Sequence, residues 1–317
     1  MVTILLILTI LITCSCSSGS NAPQPQKFKR PDVPSMISNQ DEAISYIAKH
    51  YWDNFLKEDR EYPSDTAVLF AGLKKDDFEK AFSEYATFIM ALPVDEAMAA
   101  QQKLASQVEK MQLKDKVTPF WESFSSMEDK YFNHPNSPYR SEEMYLYWME
   151  ATLHSSVASS DEKIVAEGLI PLLSLNRLGT AAANFPFTLG NGKTMHLYDV
   201  TSDYIILLLS NPGCPNCKEI TDELERTVMI QQMLQNGTLA IVNIYPDDDY
   251  QAWKDFLPEY SDKWVNGWDQ TNEFESLYYL RAIPSLYLLG KNYTVLEKDA
   301  PIERIFRRLD GNTLIFQ

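Results

Sequence analysis

Over the first half of the chain, apolar residues recur at intervals of three and four, the spacing that lines one face of an α-helix. Between Asp41 and Leu56 the stripe is Ile44, Ile47, Ala48, Tyr51, Trp52 and Phe55. It repeats through Phe78, Ala81, Phe82, Tyr85, Phe88, Ile89 and Leu92, where Pro93 stops it. Further helices are predicted over Val94–Met111, Phe120–Phe132, Glu142–Val157 and Asp161–Leu175, with the Pro-rich stretch from Asn133 to Pro138 as a loop. Tyr51-Trp52, Phe120-Trp121, Tyr145 and Tyr147-Trp148 fall on this spacing and are read as core. No acid–base pair, nucleophile or metal cluster stands out in this half.

Near Gly179 the pattern changes. Eight of the eleven glycines lie from there on, and the apolar residues gather into short continuous runs. Phe185–Leu189 and Met195–Leu197 flank Gly190-Asn-Gly192-Lys193, a hairpin signal. Tyr204–Leu209 and Leu239–Tyr245 read as buried central strands. Helices are predicted from Pro215 to Leu234, through Trp253 and Phe256, over Glu273–Leu280 and from Pro301 to Leu309. A strand pair, Ser285–Leu289 and Val295–Glu297, precedes the last of them. Strands alternating with helices indicate an α/β sandwich with a mixed sheet. The junction Asn176–Ala183, with Gly179 and its alanines, is expected to pack weakly.

One apolar stretch fits neither pattern. Val2 to Ile12 is unbroken except for threonines, and it ends at Cys14-Ser-Cys16. It is too short for a transmembrane helix, which needs about 20 apolar residues, and has the length of a signal-peptide core. No Lys or Arg precedes it. The polar residues after it read as a flexible tether.

Composition narrows the function classes. The chain has 317 residues, 45% of them hydrophobic, which suits two globular domains. With 28 basic against 44 acidic residues, the formal net charge is −16. Nucleic-acid phosphates have little to bind in such a chain. The four cysteines fall in two pairs, Cys14/Cys16 and Cys214/Cys217, and the four histidines show no ligand spacing. A structural zinc site needs four N or S ligands, so no metal is expected.

The chemistry gathers at Asn211-Pro-Gly-Cys214-Pro-Asn-Cys217, directly after a buried strand and at the start of a helix. At a helix N-terminus the unpaired N–H groups and the helix dipole favour a thiolate on Cys214. Two intervening residues put Cys217 one turn along, within reach to close a disulfide. Pro215 in the first helical turn sacrifices no hydrogen bond.

The residues from about Ala181 to the C-terminus resemble a thioredoxin-like domain of the TlpA-like branch, the membrane-tethered thiol–disulfide oxidoreductases. The resemblance is carried by Ala183–Leu189, Gly190–Lys193, His196–Val200, the Cys214-Pro-Asn-Cys217 site, Ile244–Asp247 and Ala282-Ile-Pro-Ser285. It implies that Cys214 and Cys217 are catalytic and that Pro284 is the cis proline opposite them. Ile283 would then offer backbone groups to an extended substrate strand. Two departures stand out: Gly213 replaces the aromatic that usually precedes the first cysteine, and Leu208 replaces the buried acid of thioredoxin itself. The helical half resembles an uncharacterised domain found ahead of thioredoxin-like domains in Gram-negative lipoproteins.

The cysteines after the apolar run resemble a lipobox, with Cys16 favoured over Cys14 as the lipidated residue. The resulting organisation is a lipoprotein signal peptide (1–16), a flexible tether (17–37), an all-α helical domain (38–178) and an α/β thioredoxin-like domain (179–317). The expectation is a bacterial, periplasm-facing, lipid-anchored thiol–disulfide oxidoreductase, a reductant by analogy with the tethered branch. Protein thiols and disulfides would be its substrates and a membrane protein its electron donor, with no cofactor. The alternatives are a non-enzymatic envelope scaffold with a vestigial redox site and a peroxiredoxin-like peroxidase. The residues before Cys214 do not fit the peroxidase nucleophile pattern. The C-terminal half is expected to fold alone and reduce a small disulfide.

Overall fold

A computed structural model describes residues 25–57, 66–271 and 273–311. Cys14, Cys16 and the apolar run before them lie outside the described residues. The N-terminal half begins with α1 (Gln40–His50), capped by Asn39, whose side chain accepts from the Asp41 and Glu42 N–H groups. A small hairpin follows, β1 (Leu69–Phe70) and β2 (Leu73–Lys74), and then α2 (Lys75–Ile89) and α3 (Val94–Lys114). Next come α4 (Phe120–Glu128), which runs on into a π-helical turn over Asp129–Asn133, α5 (Glu142–His154) and α6 (Ser160–Leu173).

The periodic stripes of these helices meet in one core dominated by rings. Tyr51, Trp52, Phe120, Trp121, Tyr145, Tyr147 and Trp148 are all buried. Trp52 meets Phe124 edge-on at 4.9 Å and Trp121 stacks on Trp148 at 5.1 Å, both favourable aromatic geometries. One carboxyl is enclosed with them. Gln101 donates to Glu128 at 2.9 Å, and burial pushes the Glu128 carboxyl well above the usual range.

The expected tether is only partly a tether. Phe28 stacks on Tyr51 with ring centroids 5.1 Å apart, and Gln26 N donates to Gly72 O at 2.8 Å. Arg30 pairs with Glu84 at 2.7 Å. An aromatic side chain with an apolar cluster beside it leaves water, so this stretch is docked on the helical core.

Among the described residues, the C-terminal half is built on a seven-stranded mixed sheet. Its strands are β3 (Pro186–Leu189), β4 (Thr194–His196), β5 (Tyr204–Leu209), β6 (Leu239–Tyr245), β7 (Val265–Trp268), β8 (Ser285–Leu289) and β9 (Val295–Glu297), in the order β4-β3-β7-β6-β5-β8-β9. β5, β6 and β7 are parallel neighbours, whereas β8 runs antiparallel to β5. Helices α7 (Pro215–Arg226), α8 (Val228–Gln235), α9 (Tyr250–Phe256), α10 (Glu273–Leu277) and α11 (Ile302–Leu309) complete it. β5 is apolar at every position because both its faces are covered. Ile205, Leu207 and Leu209 pack with Phe185, Phe187 and Tyr287, while Ile206 and Leu208 pack with Leu224 and Ile230.

Further features differ from the sequence expectation. The helix read through Phe55 ends at His50, with Tyr51, Trp52 and Phe55 in the turns that follow, and the one read over Glu273–Leu280 ends at Leu277. The helix predicted from Pro215 to Leu234 breaks at Thr227, whose φ of −74° and ψ of 112° are extended. β7 and the β1–β2 hairpin are additional strands. The junction is firmly held: Arg177 Nε donates to Glu143 at 2.7 Å, Asn176 bonds Leu277 O and Ala183 N, and Gly179 N donates to Val295 O. Its backbone and the two polar side chains of Asn176 and Arg177 do the holding. Among the described residues, no helix is long and apolar enough to cross a membrane.

Candidate functional site

β5 ends at Leu209, and the chain leaves the sheet through Ser210 into the cysteine loop. Ser210 is buried; its Oγ donates to Asn243 Oδ1 at 2.6 Å, and its N donates to Ile244 O at 3.0 Å. Asn243 in turn donates to Asn266 Oδ1 at 3.1 Å, so a polar chain ties β5, β6 and β7 together below the loop. The Asn211 side chain donates to the Asp247 carboxylate, and Trp268 Nε1 donates to Asp247 O at 2.9 Å. These contacts fix where the loop leaves the sheet. The buried Asn in the run Leu239–Tyr245 was the one sequence signal for them, a polar residue in an otherwise apolar strand.

Gly213 then turns the chain with φ of +71°, a conformation that disfavours any residue with a Cβ. The replacement of the usual aromatic by Gly213 thus has a backbone reason. Cys214 follows as the N-cap of α7, with Pro215 in the first turn. Its Sγ accepts from Cys217 N at 3.2 Å, so a helix-terminal N–H points at the sulfur. Cys214 and Cys217 form a disulfide with Cα atoms 5.2 Å apart. Cys214 is half-buried, whereas Cys217 is only 3% exposed. The outer sulfur is therefore the accessible one.

The Ile283–Pro284 peptide bond is cis. The register of β5 against β8 pairs Leu209 with Ser285. Pro284 and the cysteine loop therefore emerge from the same end of two adjacent strands, and Ile283 and Pro284 are half-buried there. Leu208, at the position of the thioredoxin acid, is fully buried among Leu224, Ile230 and Leu286, with Ile220 packed alongside. Among the described residues, no group of three or more His, Cys, Asp or Glu could hold a metal ion.

A disulfide-bonded cysteine pair at a helix N-terminus, beside a cis proline on the neighbouring strand, belongs to the thioredoxin-like class. Comparison with known families agrees. Residues 202–295 match the model of a thioredoxin-like family, and residues 12–176 match a domain of unknown function, DUF5106. The crystal structure of a thioredoxin-like protein from Bacteroides caccae is 32% identical, with a TM-score of 0.75 over 90% of this chain and 99% of that one. The chain belongs to a thioredoxin-like family with an N-terminal DUF5106 domain.

Shorter solved chains match less than half of it. The C-terminal domain of an uncharacterized protein from Bacteroides fragilis is 39% identical, covering 43% of this chain and 98% of its own, with a TM-score of 0.42. A thiol-disulfide oxidoreductase from the same species is 21% identical, covering 42% and 98%, with a TM-score of 0.37. No curated protein matches the sequence.

Proposed function

We propose that the protein is an envelope-anchored reductant of protein disulfides, with Cys214 as the attacking thiolate and Cys217 as the resolving one. The observation that carries this reading is the asymmetry of the pair. Cys214 is accessible and its sulfur accepts a helix-terminal N–H, while Cys217 is buried behind it. In the reduced protein, Cys214 attacks one sulfur of a substrate disulfide and forms a mixed disulfide. The other substrate sulfur leaves as a thiolate and takes a proton. Cys217 then attacks Cys214, releases the second substrate thiol and leaves the pair oxidised, two electrons having passed to the substrate. Leu208 offers no acceptor for the Cys217 proton, so solvent water takes it. Ile283, beside Pro284, presents backbone to an extended substrate segment.

Export and anchoring rest on the apolar run before Cys14 and Cys16, with Cys16 as the lipid-bearing residue. A membrane thiol donor would restore the reduced pair. The direction of electron flow follows the resemblance to the tethered branch.

An insulin-reduction assay tests the chemistry. Wild type should precipitate insulin chains with a thiol donor, and Cys214→Ser should abolish this. Cys217→Ser should accumulate a mixed disulfide with substrate. Equal trapping by Cys214→Ser would reverse the two roles, and wild type without activity would defeat the reading. Replacing both Cys14 and Cys16 with Ser should move the protein from the detergent extract to the soluble fraction.

A further inference from the structure

The segment that leads into Pro284 is gripped from the helical half of the molecule. Arg281, three residues before the proline, has a side chain only 6% exposed. Its Nη1 donates to Asn133 O and, at 2.7 Å, to Asn133 Oδ1, both at the end of the π-helical turn that follows α4. Its Nη2 donates to Asp299 Oδ2 at 2.5 Å. The other oxygen of Asp299 accepts from Ser285 Oγ at 2.8 Å, immediately beyond the proline. One carboxylate thus clasps both ends of the segment from Arg281 to Ser285, and one guanidinium ties that clasp to the helical domain.

Asp299 is itself held in place from the same side. Its φ is +40°, a conformation costly for a residue with a side chain. Arg140, from the loop before α5, donates to Asp299 O at 2.9 Å. Glu142, at the start of α5, lies 3.6 Å from Arg281 Nε. Tyr279, two residues before Arg281, packs against the helical core. None of these contacts is available to the C-terminal half by itself.

We infer that Arg281 is a positioning residue through which the helical domain sets the Ile283–Pro284 segment, and so the affinity for extended protein substrates. The substrate clause rests on the oxidoreductase reading above; the bracing does not. Charge-assisted bonds from one planar guanidinium to partners in both halves fix geometry as well as add affinity. A small disulfide needs only Cys214 and would be indifferent to them. The role of the helical domain is then to shape a groove whose reacting atoms lie in the other half.

Kinetics and hydrogen exchange on full-length Arg281→Met and Asn133→Ala test the inference. With a disulfide-linked peptide, Arg281→Met should raise KM about ten-fold and leave kcat unchanged. Asn133→Ala, wholly within the helical half, should shift KM in the same direction by a smaller factor. Reduction of a small aromatic disulfide should be unaffected in both. Amide exchange at Ala282, Ile283 and Ser285 should quicken in both, while exchange along β5 stays as in wild type. Unchanged KM and exchange in a folded variant would overturn the inference, as would equal losses on peptide and small disulfide. If Arg281→Met does not fold, Asn133→Ala decides alone. A wild type inactive on both disulfides would defeat the oxidoreductase reading and the substrate clause, and the exchange data would still decide the bracing.

Discussion

Lys298 Nζ lies 2.7 Å from the Glu142 carboxylate, with the lysine side chain 2% exposed and the glutamate 0%. A helical-domain acid and a thioredoxin-domain base therefore share one dry seam. Lys298 Nζ also donates to Leu173 O at 2.8 Å and to Leu175 O, at the C-terminal end of α6, where a cation is favoured. Burial raises the Glu142 carboxyl to about 7, against the pull of Lys298 and Arg281. Asp299 adds to the rise, and the buried Tyr287 hydroxyl lies within electrostatic reach of both acids.

The sign of the pH dependence follows. Glu128 and Glu142 keep their protons in the fold at pH values where the unfolded chain has released them. Stability should therefore fall as pH rises from about 4.5 towards 7. Asp53, Glu96, Glu109 and Asp115 have lowered values, so their contribution is present above the ordinary carboxylate range and lost on acidification. The melting temperature should peak at about pH 5. Glu142→Gln and Glu128→Gln should each flatten the decline above it. A melting temperature that climbs steadily from pH 5 to 8 in calorimetry would contradict this.

Gly213→Ala should cost about 1 kcal/mol, because φ is +71° there. Beyond its chain neighbours no atom lies within 4 Å of the added Cβ, so the loss is one of backbone conformation. Asn, which tolerates the left-handed region, should cost less than Ala. Urea midpoints for the three proteins measure the order, and an Ala variant as stable as wild type would refute it.

At Gly267 the problem is space. A Cβ would meet Phe187 Cδ2 at 2.4 Å and Ile244 Cδ1 at 2.9 Å, inside the sheet that carries the cysteine loop. Gly267→Ala should destabilise by about 1–3 kcal/mol through overpacking. Phe187→Leu in the same chain should recover part of that loss, whereas purely additive destabilisation would point away from this contact.

Phe28→Ala should release the segment around it from the rings of Tyr51, Trp52 and Phe55. The expected penalty is about 1–2 kcal/mol for a half-buried ring. Limited proteolysis should then cut near Lys27 and Lys29 sooner than in wild type. An unchanged cleavage rate would mean that Gln26 and Arg30 hold the segment without the ring.

Much of this architecture was legible in the sequence. The helical stripes ending at Pro93, the double-sided β5 and the cysteine pair after it are local patterns with one physical solution each. The seven-residue β6 was equally plain. β7 was not, since Val265-Asn-Gly-Trp268 is short, half polar, and a strand only because β3 and β6 flank it. The break at Thr227 was hidden because apolar residues continue at four-residue steps through Ile220, Leu224 and Val228. For the site, Cys214, Cys217 and Pro284 were visible as motifs, whereas Arg281, Lys298, Asp299 and Glu142 carried no signal of their own. Only their partners, more than a hundred residues away for Glu142, distinguish a buried charge from a solvated one.

The pairing of Lys298 with Glu142 also bears on inheritance. Once Glu142 is ionised, above about pH 7, removing either partner strands the other charge in the dry seam, at about 3–5 kcal/mol. A thioredoxin-like half recombined with a foreign helical domain would bring Lys298 and Arg281 to a seam that must supply a carboxylate at the right depth. The two halves are therefore not freely exchangeable cassettes. Chimaeras should survive only when residues 133, 140 and 142 travel with residues 281, 298 and 299.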